Sequence, residues 1–277
     1  MSTLTLNDSL AELTTPEGIR MSLDVPQLLK EAVPARAHSG GLLPGGIRYV
    51  ESAGPFTVWV LEVAPTVREL SWLANDSPAP FGKEATYRCV KIALPYLLVV
   101  AVFENGLISE FNECFFRTQP LRDENADELC YPALLNCSKF TPPEGRPLAW
   151  ICTQKLNRAP LFRETNPRQR MIRGLQLLHH CLFETGFNRS SDVHEGASWF
   201  TQSCGCDPRI ATIEKWQEAT AKNPLFVLDV PWLKTGVTLT RLIDRIFANR
   251  GVSRDRPVTT GDLARIVMHR GKAEGKS

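Results

Sequence analysis

The chain has 277 residues, 43% of them hydrophobic and 22% charged, which suits a globular protein that buries a core. Lys and Arg number 32 against 30 Asp and Glu, a net charge of +2 that excludes a general basic footprint for nucleic acid and an acidic tail. The longest apolar stretch, "IALPYLLVVAVF", is too short for a bilayer and contains a proline, so no membrane span is predicted.

The N-terminus lacks a positive segment followed by an apolar run, so no signal peptide is expected. The eight cysteines (Cys89, Cys114, Cys130, Cys137, Cys152, Cys181, Cys204 and Cys206) are then expected as reduced thiols in a cytoplasmic protein. Residues 1–46 read as a leader, with a weak helix in "DVPQLLKEAV" and the glycine-rich "HSGGLLPGG" leading into the first strand. From 47 to about 117 the β signal dominates. "IRYV", "FTVWVLEV" and "RELSWL" are short, β-branched or aromatic, and bounded by Gly54, Pro55 and Pro65. "YRCVKIALPYLLVVAVF" contains Pro95 and divides into two segments, the second a buried strand, "YLLVVAVF". "ENG" at 104–106 suits a tight hairpin turn, and "LISEFNECFFR" returns as the partner strand of an antiparallel meander.

Residues 118–167 carry seven prolines and read as an irregular middle, anchored only by "PALLN" and "LAWICT". The periodicity then becomes helical. "NPRQRMIRGLQLLHHCLFETG" places Met171, Leu175, Leu178 and Leu182 on one face, with Asn166 as cap before Pro167 and Gly186 as the stop. "DPRIATIEKWQEATAKN" predicts a second helix capped by Asp207, "TLTRLIDRIFANRG" a third, and "TTGDLARIVMHRG" a short fourth. Strands first and helices afterwards predict an α+β fold: an antiparallel meander followed by a helical C-terminal part.

No glycine-rich phosphate loop, Gly-x-Ser-x-Gly elbow or His-Glu-x-x-His element occurs. "HHC" at 179–181, "CGC" at 204–206 and His194 offer thiolates and imidazoles, but not at the two-to-four-residue spacing of structural zinc sites. Consecutive His179 and His180 point about 100° apart on a helix, so a core Cys181 between surface histidines is the simpler reading. A redox pair in "CGC" is the other alternative, and no cofactor is predicted. Arg168, Arg170 and Arg173 sit in the first turns of a helix, where the dipole disfavours cations; they mark an acidic partner or a solvated face.

Cys152, in "PLAWICTQKL", has two readings. A cysteine at the end of an apolar strand is a small hydrophobe, and such thiols are among the most buried side chains. Its position after a meander and a proline-punctuated segment gives the other. Tyr131-Pro132 is followed by "ALLN" ending at Asn136, then Gly145, then Ile151-Cys152. This order of elements and these words resemble the ubiquitin-conjugating enzyme (UBC) family. They are most similar to its divergent prokaryotic branch, the PRTRC system protein B group, encoded beside ThiF-like adenylating enzymes and JAB-type metalloproteases on plasmids or mobile elements. "ASWFTQS" at 197–203 is also similar to that group. The resemblance spans residues 47–200 and implies a UBC-like domain there, with 201–277 as a helical extension. Asn136 lies sixteen positions before Cys152, so "CSKFTPPEGRP" is expected to fold out as a loop.

The resemblance implies a conjugating acyltransferase. Cys152 would accept the C-terminal acyl group of a small ubiquitin-like protein from a ThiF-like adenylating enzyme, and pass it from the thioester to an amine. A thiol is already a few per cent ionised at neutral pH, and a thioester is activated enough for aminolysis. The Asn136 amide would donate to the tetrahedral oxyanion. The alternatives are a catalytically inactive adaptor or scaffold of the same cassette, and a phage-type structural protein of unrelated fold.

Overall fold

A computed structural model describes residues 3–7, 9–25, 28, 43–74, 86–140, 145–153, 156–184, 187–252, 263–264 and 267. The chain forms two compact units, one from residues 1–40, 52–55 and 250–277, the other from 41–51 and 56–249. These units run across the expected boundaries at 46 and 200.

In the first unit the expected leader is a folded sheet. Strands β1 (Thr3–Leu6), β2 (Leu10–Thr14) and β3 (Arg20–Asp24) pair antiparallel in sequence order. Alternation along β2 turns Ala11 and Leu13 inward, where they meet Leu23, Leu28 and Val267 in a small core. The helix expected in "DVPQLLKEAV" begins inside β3 at Asp24, and most of its remainder lies outside the described residues. Most of "TTGDLARIVMHRG" lies outside them too.

The second unit is built on a long ribbon. Strands β4 (Ile47–Ala53), β5 (Phe56–Val63), β6 (Thr66–Leu73), β7 (Tyr87–Leu94) and β8 (Tyr96–Glu104) appear where the β signal is strongest. β5 pairs β8 and β6 pairs β7 in one continuous register, Val63 opposite Leu97 and Thr66 opposite Leu94. That register sets Pro65 across from Pro95. Neither proline has an N–H to give, so the ladder breaks there and the ribbon becomes two.

The "ENG" turn is a two-residue hairpin loop, with Asn105 at φ 50° and Gly106 at φ 76°, joining β8 to β9 (Leu107–Ile108). The return strand is interrupted. Asn112 Oδ1 accepts from Val102 N–H at 2.9 Å, filling the gap before β10 (Glu113–Arg117) resumes pairing with β8.

The expected irregular middle contains three short strands, β11 (Glu128–Cys130), β12 (Cys137–Lys139) and β13 (Trp150–Ile151), and a 3-10 turn at Ala159–Arg163. These extend the sheet in the order β12-β13-β10-β8-β5-β4, with β11 added beside β10. The next elements are α1 (Pro167–Phe183), α2 (Ser190–His194), β14 (Ala197–Ser198), which pairs with β12, and α3 (Trp199–Ser203). The last are α4 (Ile213–Lys222), β15 (Lys234–Thr238), which pairs with β11, and α5 (Leu239–Ala248).

Asn166 caps α1 as its sequence predicts, its Oδ1 accepting from the N–H of Arg168 and Gln169. The helix expected from Asp207 makes only a 3-10 turn, and Thr212 caps α4 afresh. α1 lies on the Phe103 side of the sheet, where Gly174 lets the backbone approach closely: a Cβ there would sit 3.1 Å from Ile108 Cβ and 3.3 Å from Phe103 Cε1. Val100 points to the opposite face from Phe103, and on that face Arg245 of α5 pairs with the buried Glu113. The fold is α+β with mostly antiparallel strands.

Candidate functional site

The hairpin of β12 and β13 brings Asn136 and Cys152 together. Ser138 opposes Trp150 and Cys137 opposes Ile151, which sets Asn136 opposite Cys152 at the next position. Cys152 N–H donates to the Asn136 carbonyl at 3.0 Å. The segment expected to loop out is therefore the hairpin itself, and its first residues, Cys137–Lys139, are strand β12. β13 is held from its other side by Ile151 N–H donating to the Asn112 carbonyl at 2.9 Å and by Trp150 Nε1 donating to the Glu110 carbonyl at 2.7 Å.

The Asn136 side chain is buried, and its amide points toward the end of α1. Nδ2 donates to the carbonyls of Leu182 at 2.7 Å and Cys181 at 3.4 Å, while Oδ1 is buried with no hydrogen-bond partner among the described residues. Two carbonyls on one edge require the NH2 group there, so the amide cannot be flipped without setting oxygen against oxygen. In this arrangement the donor expected to face an oxyanion instead ties the β12 hairpin to α1.

Cys152 is half-buried, unlike its neighbouring thiols. Cys114 and Cys137 are fully buried with their sulfurs 3.2 Å apart, and burial holds the Cys137 thiol well above its usual range, helped by Cys114 and by Cys152. Cys181 is buried beside the Asn136 bonds, and burial, with the nearby Cys152, pushes its thiol up to about 11. Cys114, Cys137 and Cys181 are buried and behave as core, which leaves Cys152 as the half-buried member of the group.

A groove of about 600 Å³ opens where β13 ends, lined by Glu110, Phe111, Phe140, Trp150, Thr153 and Glu195, with Arg146 and Arg158 at its rim. Trp150 and Thr153 flank Cys152 in the chain. Arg146 stacks over Phe140 at 5.1 Å, and Arg158 reaches Glu110 at 3.4 Å. Glu195 follows α2 and stands against two fully buried hydroxyls. Ser138 Oγ lies 2.8 Å from Ser191 Oγ and 3.5 Å from Glu195 Oε2. Each serine has one proton, so Ser138 donating to Ser191 leaves Ser191 to donate to the carboxylate. Burial raises the Glu195 carboxyl above its usual range, and His194 and the two hydroxyls draw it only part of the way back.

Cys204 and Cys206 are half-buried and flank a 3-10 turn, while His180 pairs with Glu184 on the exposed side of α1. Among the described residues no group of three or more His, Cys, Asp or Glu side chains is placed to hold a metal ion. Of the arginines of α1, Arg173 pairs with the Glu164 carboxylate at 3.0 Å and Arg170 donates to the Glu164 backbone carbonyl, while Arg168 Nε is buried with no hydrogen-bond partner among the described residues. Among the described residues no helix is long and apolar enough to cross a membrane.

Sequence reasoning overlooked Glu195, Glu110 and the two arginines of the groove. Glu195 lies 43 positions after Cys152, and nothing local marks it; only the pairing of β12 with both β13 and β14 brings its loop to the groove. Comparison with known proteins gives no match to any family model, curated protein or solved structure.

Proposed function

We propose that this chain is a thiol acyl carrier of the ubiquitin-conjugating kind, accepting a small ubiquitin-like protein as a thioester on Cys152 and passing it to an amine. A ThiF-like adenylating enzyme would be its donor. The observation that carries this reading is the β12–β13 hairpin. It cancels the sixteen-residue separation and sets Asn136 opposite a half-buried Cys152 beside an open groove. Strands β4, β5, β8 and β10 lie side by side in the sheet in chain order, with the β6–β7 hairpin intervening between β5 and β8, and this order supports the meander such a protein would have.

One observation favours the second reading, an inactive adaptor of the same cassette. The Asn136 amide is already spent on the Leu182 and Cys181 carbonyls, so it can serve an oxyanion only by leaving them. A small probe separates the two readings without any partner protein. The chain is incubated with the acetyl thioester of N-acetylcysteamine and its mass is read. The carrier reading expects one acetyl group that is removed by thiols, maps to Cys152 and is absent in Cys152→Ala. Equal labelling of Cys152→Ala, or no labelling of the wild type, would leave the adaptor.

A further inference from the structure

We propose that Cys114 and Cys137 are a redox modification site, converted by peroxide to a disulfide that fastens β10 to β12 across β13. This goes beyond the acyl-carrier reading and does not depend on it. The two residues lie 23 positions apart in the chain, yet their sulfurs touch at 3.2 Å, and both are fully buried.

The sheet register explains the meeting. Cys137 stands level with Ile151, and Ile151 N–H donates to the Asn112 carbonyl, so Asn112, Ile151 and Cys137 form one row across the sheet. Cys114, two positions after Asn112, turns its side chain to the same face. Its N–H donates to the Ala149 carbonyl at 3.1 Å. Ala149 is buried and carries only a methyl group, which leaves the two sulfurs room to meet over the β13 segment. A disulfide holds its sulfurs about 2.05 Å apart, so the pair has about 1.2 Å left to close.

The step balances with peroxide as the oxidant. One thiol sulfur attacks a peroxide oxygen: the S–O bond forms, the O–O bond breaks, and the thiol hydrogen leaves in a first water. The second sulfur attacks the resulting sulfenic acid: the S–S bond forms, the S–O bond breaks, and a second water carries off the other hydrogen. Two thiols are oxidised and one peroxide is reduced. Contact decides the product, because a sulfenic acid on either residue has a thiol against it and condenses before it goes on to sulfinic acid.

Burial holds the Cys137 thiol well above its usual range, helped by the contact with Cys114, so the first attack waits on a local opening. The strands outside β10 suit such an opening: β13, β12 and β14 have only two, three and two residues. The disulfide would anchor these short strands to β10, which pairs with β8 over five positions.

The test treats the folded chain with hydrogen peroxide, in buffer and in urea below the unfolding transition, so that opening does not limit the reaction. Remaining thiols are then alkylated in denaturant, and unreduced peptides are mapped by mass. The expected product is one peptide pair joined through Cys114 and Cys137 and lighter by two hydrogens, whereas peroxide added above the transition gives mixed pairings. The joined form is expected to melt about 5 °C or more above the reduced form, with the gain lost in dithiothreitol and absent in Cys137→Ala. Cys114 and Cys137 both recovered as free thiols, sulfinic acid on either, or Cys137 joined to another cysteine would overturn the site. A joined chain that melts no higher would overturn the fastening. The wild-type mapping decides the site even where Cys137→Ala does not fold.

Discussion

Asn136 joins two elements through opposite ends of one residue. Its carbonyl receives the Cys152 N–H, and its amide satisfies two carbonyls at the end of α1. A helix terminus leaves such carbonyls without intrahelical donors. Asn136→Ala should cost about 1–3 kcal/mol in urea unfolding, because it strips the donor from buried acceptors. Asn136→Asp should cost more, because it sets a charge against them. Thiol reactivity is decided on the same scale. At about pH 8, iodoacetamide should modify Cys152 while Cys114, Cys137 and Cys181 stay unmodified until the chain is denatured, as peptide mass mapping would show. The sequence makes Cys181 legible as core, because it shares a helix face with Leu178 and Leu182. It cannot do the same for Cys152, where a strand ends at the residue in question and alternation stops being informative.

At the level of elements, α1 and the long ribbon are the most legible parts, and for physical reasons. Asn166-Pro167 is a start signal written in local chemistry, and a proline inside an apolar run has to interrupt a ladder. That Pro65 faces Pro95 could not be read, because register is a relation between distant residues. The short strands β11 and β12 were illegible for the same reason. Three residues carry no period, and tertiary pairing alone makes them strands. The close seat of α1 leads to a prediction. Gly174→Leu should destabilise the protein by about 1–3 kcal/mol or more in chemical denaturation, because the added atoms meet Ile108 and Phe103, both buried and packed. The loss is expected despite the better helix propensity of leucine, worth about 1 kcal/mol at most.

For the molecule as a whole, two long-range ties matter. In the larger unit Glu113 accepts from Leu148 N–H at 2.7 Å and Ala149 N–H at 3.2 Å while it pairs with Arg245, so one buried carboxylate binds β10, the approach to β13 and α5. Glu113→Ala should cost about 3–5 kcal/mol, measured by urea denaturation, because it leaves a partly buried arginine and two amides without their acceptor. In the smaller unit the tie is apolar: Val267 completes a core begun by Ala11, Leu13 and Leu23. That contact has a consequence for synthesis. Strands β1–β3 leave the ribosome before the side chain that seals them, which follows Leu23 by 244 positions. At about 5–20 residues per second the wait is roughly 12 to 49 s, and through it the apolar face of β2 stays uncovered by its last partner. The newborn chain therefore offers chaperones a binding surface that the finished protein withdraws.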